Sequence, residues 1–295
     1  MIELIGIKKT FYRRCVIDNL NLHIPNATIF GLIGSAGSGK STILRVMSGV
    51  YHVDGGYVKI DGQSVYENNL LKQQVMLVSE DPYFLQQSTV AEMRRFYQLH
   101  YPDFDDKTYR QLLDIFPLNE KKRLNRFSRG ERKQAALVLA LATNPKYLLL
   151  DEVFSGLDPS LRNALKNILK NNLETFGQTT VITANTLKEL DNLCDSMGLL
   201  KDGKIIVSGS QALLGLQVCK LQTAFAKDKI PQDFPKLKLL HWQKNGHLIQ
   251  IIAAGKAAVV TKEISKQQPL FIDVLAMDLE EAFLYEMEAK GYEQN

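Results

Sequence analysis

No apolar run in this sequence approaches the roughly 18 to 20 residues needed to cross a bilayer, and Met1-Ile2-Glu3-Leu4 lacks the basic-then-apolar layout of a signal peptide. Both absences point to a cytoplasmic protein, or to one held on the inner face of the cell membrane by a partner. Cysteine is scarce: Cys15, Cys194 and Cys219 are widely spaced, odd in number and form no CxxC pair. That excludes a disulfide framework and suits reduced thiols acting as packing residues. Concentrated positive charge is missing too. The net charge is +4, and short clusters such as Lys121-Lys122-Arg123 read as solvated faces, so no nucleic-acid partner is expected. There is no internal repeat and no low-complexity segment.

What is present is an ordinary globular composition, 45% hydrophobic and 23% charged, enough to bury a substantial core. At 295 residues the chain predicts a core domain with a smaller appendage. Residues 28–33 form a short apolar run that predicts a buried strand. After a glycine-rich loop, Ile43, Leu44, Val46 and Met47 recur at helical spacing, with Gly49 placed to stop the helix. From Val90 to about Leu124 the stripes Met93, Phe96, Tyr97, Tyr109, Leu112, Leu113, Ile115 and Phe116 predict an inserted helical lobe. A helix over 130–143 then leads to the strand-like runs 147–150 and 179–183.

Strands alternating with helices predict an α/β fold on a largely parallel sheet with helices on both faces. Beyond Gly209 the pattern changes, with strand-like runs at 248–253 and 270–275 and a final amphipathic helix over 279–290 carrying Ala282, Phe283, Tyr285 and Met287. The expected division is 1–210, with the lobe at about 85–128, and a small α+β domain over 211–295.

Gly34-Ser35-Ala36-Gly37-Ser38-Gly39-Lys40-Ser41-Thr42 fits G-x-x-x-x-G-K-[ST] between a predicted strand and a predicted helix. Glycines let backbone N–H groups turn inward around phosphate oxygens, and the helix N-terminus adds a favourable dipole. Lys40 neutralises the β- and γ-phosphates and Ser41 ligates Mg²⁺. These residues predict a nucleoside triphosphate site. Downstream, Leu148-Leu149-Leu150-Asp151-Glu152 is an apolar strand ending in two carboxylates. In a fold with a phosphate loop, that places Asp151 to hold the magnesium shell and Glu152 to polarise a water.

Phe127-Ser128-Arg129-Gly130-Glu131-Arg132-Lys133-Gln134 precedes that strand and Ser155-Gly156-Leu157-Asp158-Pro159 follows it. In this order, from Leu4 to Gly209, the segments resemble the ATP-binding cassette (ABC) family. The resemblance implies a P-loop NTPase core of the ABC ATPase type that takes ATP and Mg²⁺. It makes residues 127–131 the signature loop, Asp151-Glu152 the Walker B end with its catalytic glutamate, and Ser155 to Asp158 the D-loop, with Asp158 among the nucleotide-site residues. Phe11 matches the aromatic that stacks on adenine, with Tyr12 beside it as an alternative; taken alone, an aromatic there reads as core. Ser128 and Gly130 are implied to meet the γ-phosphate held by an opposite subunit, so a working site needs two ATPase chains, identical or different.

Three positions depart from the family pattern. Glu80 stands where the Q-loop glutamine is usual, and its carboxylate can still contact Mg²⁺. Asn185 stands where the family has a switch histidine; asparagine donates a hydrogen bond but carries no proton. Arg129-Gly130-Glu131 replaces Gly-Gly-Gln. ATP binding is therefore expected, with reduced turnover or a second, different ATPase subunit; the alternatives are tolerated variation in a fully active enzyme, an ATP-binding regulatory cassette with little hydrolysis, and a soluble ABC protein that transports nothing. A single cassette with a C-terminal extension around Leu279-Glu280-Glu281-Ala282-Phe283-Leu284 resembles ABC-2 type exporter subunits of the YtrB kind, which implies a separate transmembrane permease.

Overall fold

The computed structural model describes residues 1–190, 192–210, 218–227 and 229–277, together with Glu281 and Tyr285. The chain divides into two compact units, Met1–Leu213 and Leu214–Asn295.

The first unit opens with side chains that alternate between core and solvent, as a half-buried strand demands. Ile2, Leu4 and Ile7 of β1 (Ile2–Phe11) and Ile17, Leu20, Leu22 and Ile24 of β2 (Arg14–Ile24) all point inward. The two strands pair antiparallel, Ile2 opposite Ile24 and Phe11 opposite Arg14. Cys15 falls on the solvent side of β2 and is exposed, so it is not the packing residue that the sequence suggests; Cys194 and Cys219 are. Burial pushes the Cys194 thiol up to about 12.

Strand β3 (Ile29–Ile33) is buried along its whole length and leads through the glycine loop to helix α1 (Lys40–Met47). After it, β4 (Gly55–Ile60) and β5 (Gln63–Ser64) complete an antiparallel sheet of order β2-β1-β4-β5. A short helix α2 (Asn69–Lys72) precedes β6 (Val75–Val78). Helices α3 (Val90–His100) and α4 (Asp106–Ile115) form the lobe around Met93, Tyr109, Leu112 and Phe116, and both pack on α5 (Arg129–Ala142).

From Ala135 to Ala142 every residue of α5 is buried, as expected for a helix apolar all round. It delivers the chain to β7 (Tyr147–Leu150), whose three leucines are fully buried and contribute about 1.5–3 kcal/mol each. The long helix α6 (Pro159–Phe176) returns to β8 (Thr179–Ala184), followed by α7 (Leu187–Leu190), β9 (Ser196–Lys201) and β10 (Lys204–Ser210). The second sheet runs β10-β9-β3-β8-β7-β6, parallel apart from the antiparallel β9–β10 hairpin. This is the α/β class that the sequence predicts. The carboxyl ends of β3, β7 and β8 lie side by side, Ile33 level with Ala184 and Leu150 level with Ile182, which brings the loops after them to one edge of the sheet.

The second unit holds more strands than the sequence suggests. Besides β13 (Leu248–Ala254) and β14 (Phe271–Leu275), it contains β11 (Val218–Ala224), β12 (Lys238–Asn245) and a helix α8 (Ala257–Ser265). The sheet order is β12-β13-β11-β14, all antiparallel. Cys219, Leu221, Ile249, Ile251, Val260 and Ile264 share its core. In β11 Lys220 and Gln222 interrupt the apolar residues, and in β12 His241 splits them while Lys238, Gln243 and Lys244 flank them, so neither reads as an apolar run. The helix expected over 279–290 lies outside the described residues except for Glu281 and Tyr285; Glu281 pairs with Lys220 at 2.8 Å. Among the described residues no helix is long and apolar enough to cross a membrane.

Candidate functional site

The site is built where β3 ends. A Cβ on Gly34 would lie 2.4 Å from the Leu200 carbonyl oxygen and 2.6 Å from Ser38 Oγ, so the loop closes only over glycine. Gly39, at φ 110, is the N-cap of α1 and supplies no side-chain cap. The first N–H groups of that helix are therefore left for an outside acceptor, the arrangement that receives an anion. Ser35, Ala36 and Gly37 form the exposed crest. Ser38 Oγ is buried and has no hydrogen-bond partner among the described residues, which leaves a hydroxyl free to meet a phosphate oxygen. Ser41 and Thr42 are half-buried at the start of α1.

Lys40 sits at the centre, almost wholly buried. Its Nζ donates to Gly34 O at 2.8 Å, Ser35 O at 3.0 Å and Asn185 Oδ1 at 2.8 Å, and lies 3.3 Å from Glu152 Oε1. Asn185 Nδ2 in turn donates to Glu152 Oε2 at 2.7 Å. Lysine, asparagine and glutamate thus close a ring, although 145 residues separate Lys40 from Asn185 in sequence. The sequence prediction names all three, and the structure brings them together.

Asp151 is buried, and Thr183 Oγ1 donates to its Oδ1 at 2.8 Å. Among the described residues it has no ion pair. An unpaired buried carboxylate is costly unless a cation meets it. With the Ser41 hydroxyl it forms a hard oxygen donor set of the kind Mg²⁺ takes, one or two carboxylates with phosphate oxygens completing the shell. Among the described residues no cluster of three or more His, Cys, Asp or Glu forms a site made by protein alone. The residues present therefore fit a magnesium ion that arrives with a nucleotide.

Two residues that the sequence did not single out complete the site. Thr183 Oγ1 also accepts from Glu152 N at 2.9 Å, so one hydroxyl registers both carboxylate residues. Lys133, buried on the inner face of α5, donates to Glu152 O at 3.0 Å and Ser155 O at 2.8 Å. Burial lowers its pKa from the usual lysine value. A visible signal existed, because Lys133 lies four residues before Leu137 on the apolar stripe. Glu152 itself has φ 46, a conformation that costs a side-chain-bearing residue about 1–3 kcal/mol and persists only where its surroundings hold it.

The remaining predicted residues stand apart from the lysine ring. Phe11 meets Tyr51 edge-on at 5.2 Å between ring centroids, while Tyr12 is fully exposed. Glu80 lies 4.0 Å from Arg129 Nη2, so two of the departures face each other. Ser128 is the N-cap of α5 in a capping box with Glu131: its hydroxyl accepts from Glu131 N, leaving the O–H proton to donate elsewhere. The Ser128 N–H and Lys122 hold the Glu131 carboxyl below its ordinary range. Gly130 passes close to the 156 loop, where a Cβ would lie 3.1 Å from Gly156 O. Asp158 caps α6 by accepting from Leu161 N at 3.0 Å.

The ABC transporter family model matches residues 17–155. The methionine import ATP-binding protein MetN of Legionella pneumophila (strain Lens) is 26% identical over 296 residues, covering 95% of this chain and 86% of its own. The ABC transporter ATP-binding protein YtrB of Bacillus subtilis (strain 168) is 28% identical over 228 residues, covering 77% and 78%. The probable sulfate/thiosulfate import ATP-binding protein CysA of Chlorella vulgaris is 34% identical over 211 residues, covering 70% of this chain and 89% of its own. Among solved structures, the dimeric structure of MJ0796, a bacterial ABC transporter cassette, shares the fold with a TM-score of 0.65 at 23% identity, covering 71% of this chain and 98% of that one. With the glycine loop, the twin carboxylates and this likeness in sequence and fold, the chain belongs to the ABC transporter family, as one of its ATP-binding ATPases.

Proposed function

We propose that two ATPase chains, this one and either a copy or a different subunit, close around Mg-ATP and drive a separate transmembrane permease from the inner face of the membrane. The observation that carries this reading is the convergence of Lys40 and Glu152 within 3.3 Å beside the glycine loop. A phosphate-binding ammonium and a proton-accepting carboxylate then face the same small volume. In the reading, the N–H groups of the 34–42 loop and the α1 N-terminus hold the phosphates. Phosphate oxygens replace Glu152 and Asn185 as acceptors for Lys40. Released from the ammonium, the Glu152 carboxylate accepts a proton from the attacking water, and Asn185 keeps that carboxylate oriented. Ser41, Asp151 and Glu80 would hold Mg²⁺, which supplies charge neutralisation on the β- and γ-phosphates when bound.

Ser128 and Gly130 lie at the accessible start of α5, from which they would meet the γ-phosphate of the opposite chain, with Asp158 beside the same seam. Phe11 receives the adenine. The permease fits a groove of about 480 Å³ lined by Tyr83, Leu85, Gln87, Leu124, Asn125 and Arg132, between the loop after β6 and the lobe. Export is the direction proposed, on the resemblance of the cassette and its C-terminal extension to ABC-2 type exporter subunits of the YtrB kind. The MetN likeness over 95% of the chain favours import as a second reading, and substrate flux into or out of sealed vesicles carrying the full complex decides between them.

The test of the site is magnesium-dependent ATP hydrolysis by the purified chain as protein concentration rises. Turnover should increase faster than linearly, and Lys40→Ala and Glu152→Gln should each lower it at least ~100-fold, the scale of a lost proton acceptor or charge clamp. Activity proportional to concentration and retained in both variants would sink the reading.

A further inference from the structure

We infer that Lys133 is a positioning residue for Glu152: its buried ammonium fixes the main chain of residues 152–155 and so sets where the Glu152 carboxylate points. The inference rests on Glu152 being the proton acceptor. With φ 46, the Glu152 backbone stays in place only if its neighbours determine it. Each of its polar backbone groups meets a side chain from another element, and its C=O also accepts from Ser155 N at 3.2 Å within the turn. The N–H donates to Thr183 Oγ1 at 2.9 Å and the C=O accepts from Lys133 Nζ at 3.0 Å. The same ammonium reaches Ser155 O at 2.8 Å, bracketing the turn from both ends.

Thr183 belongs to β8, so of the two side-chain ties the lysine is the one borne by the lobe-facing helix α5. Lys133 is 5% exposed, and a lysine is rarely buried so deeply unless its donors are used. The same helical turn also grips a second loop. Arg132 donates to Pro82 O at 2.6 Å and lies 3.5 Å from Asp81 Oδ1, while Arg129 faces Glu80. One turn of α5 therefore holds the loop that lines the groove and the loop that carries the carboxylate, and Lys133 is its only contact with the latter among the described hydrogen bonds.

Lys133→Met keeps the aliphatic stem and removes the donor. With Mg-ATP, kcat should fall about tenfold or more, as a displacement of about 1 Å at a reacting group produces. The Kd for a non-hydrolysable ATP analogue should stay within about twofold, since only the reacting group moves. Hydrogen exchange should speed up at the amides of residues 153–157 and not at 137–142. A kcat within about twofold of the native chain overturns the inference, and so does a Kd that rises in step with the loss of kcat, which marks general damage to the site. If Lys133→Met does not fold, Lys133→Gln is read on the same two axes, its amide reaching one carbonyl at most: lowered kcat at unchanged Kd supports the role and unchanged kcat refutes it. Glu152→Gln measured alongside separates the two ideas. Full activity in that variant fails the reading of Glu152 itself, whereas loss there with no effect at Lys133 fails only the positioning role.

Discussion

Asn185 shows how much one side chain decides at this site. Its amide has one face that donates and one that accepts, and it uses both, toward Glu152 at 2.7 Å and from Lys40 at 2.8 Å. It can therefore orient the carboxylate, but it has no titratable proton to move. A histidine placed there has the same two-sided reach and can also carry charge near neutral pH. Asn185→His is expected to raise turnover about tenfold, below the ~10²- to 10⁴-fold of a fully developed proton transfer. It should also introduce a pH dependence near the ordinary histidine value of about 6.5. Steady-state kinetics between pH 5.5 and 8.5 check this, and an unchanged rate with a flat profile would mean that Asn185 does not limit the reaction.

At the scale of elements, function depends on junctions. β3, β7 and β8 are buried along their whole length because they lie inside a parallel sheet, and the residues proposed to do the chemistry begin at the first position beyond each strand: Gly34, Asp151 and Asn185. The junction at Gly34 has no spare volume, because its nearest obstacle is a backbone carbonyl that cannot rotate away. Gly34→Ala is expected to destabilise the first unit by about 1–3 kcal/mol, as overpacking does, and to weaken ATP binding by misplacing Ser38 and Lys40. Urea unfolding together with a binding titration measures both. A variant with native stability and native Kd would show that the loop is more yielding than its contacts imply. Helix α5 is the other decisive element. Its capping box fixes where it starts and its apolar body fixes its depth, and together they place Arg129, Arg132 and Lys133 on the two loops.

Among the described residues, one hydrophobic cluster spans the first two sheets with α1 and another lies around Leu221, Ile251 and Ile264. Each is closed by its own strands, so the fragment 1–213 is expected to fold alone and to keep the ATP Kd within about threefold, since every residue proposed to touch nucleotide lies inside it. A cooperative thermal transition and a nucleotide titration on that fragment test this, and aggregation or loss of binding would make the second unit part of the nucleotide site. The sequence by itself determined the α/β class, the phosphate loop at 34–42 and the carboxylate pair at 151–152, because each is a contiguous pattern whose local backbone geometry dictates its residues. Asn185 was marked only through the resemblance, as the residue standing where the family has its switch histidine. The sequence did not reveal Thr183 or Lys133, nor the pairing of Glu80 with Arg129. Their roles arise from contacts between segments 19 to 49 positions apart (133 to 152, 80 to 129); the threonine carries no local signature for its role, and the lysine only its place on the apolar stripe of α5. The strands β11 and β12 were equally hidden, since their polar residues leave no strong apolar run and only pairing defines them, β11 with β13 and β14 and β12 with β13. Only the tertiary structure decided these, because a hydrogen bond between distant segments exists only once the sheet and helix α5 have packed to bring donor and acceptor within reach.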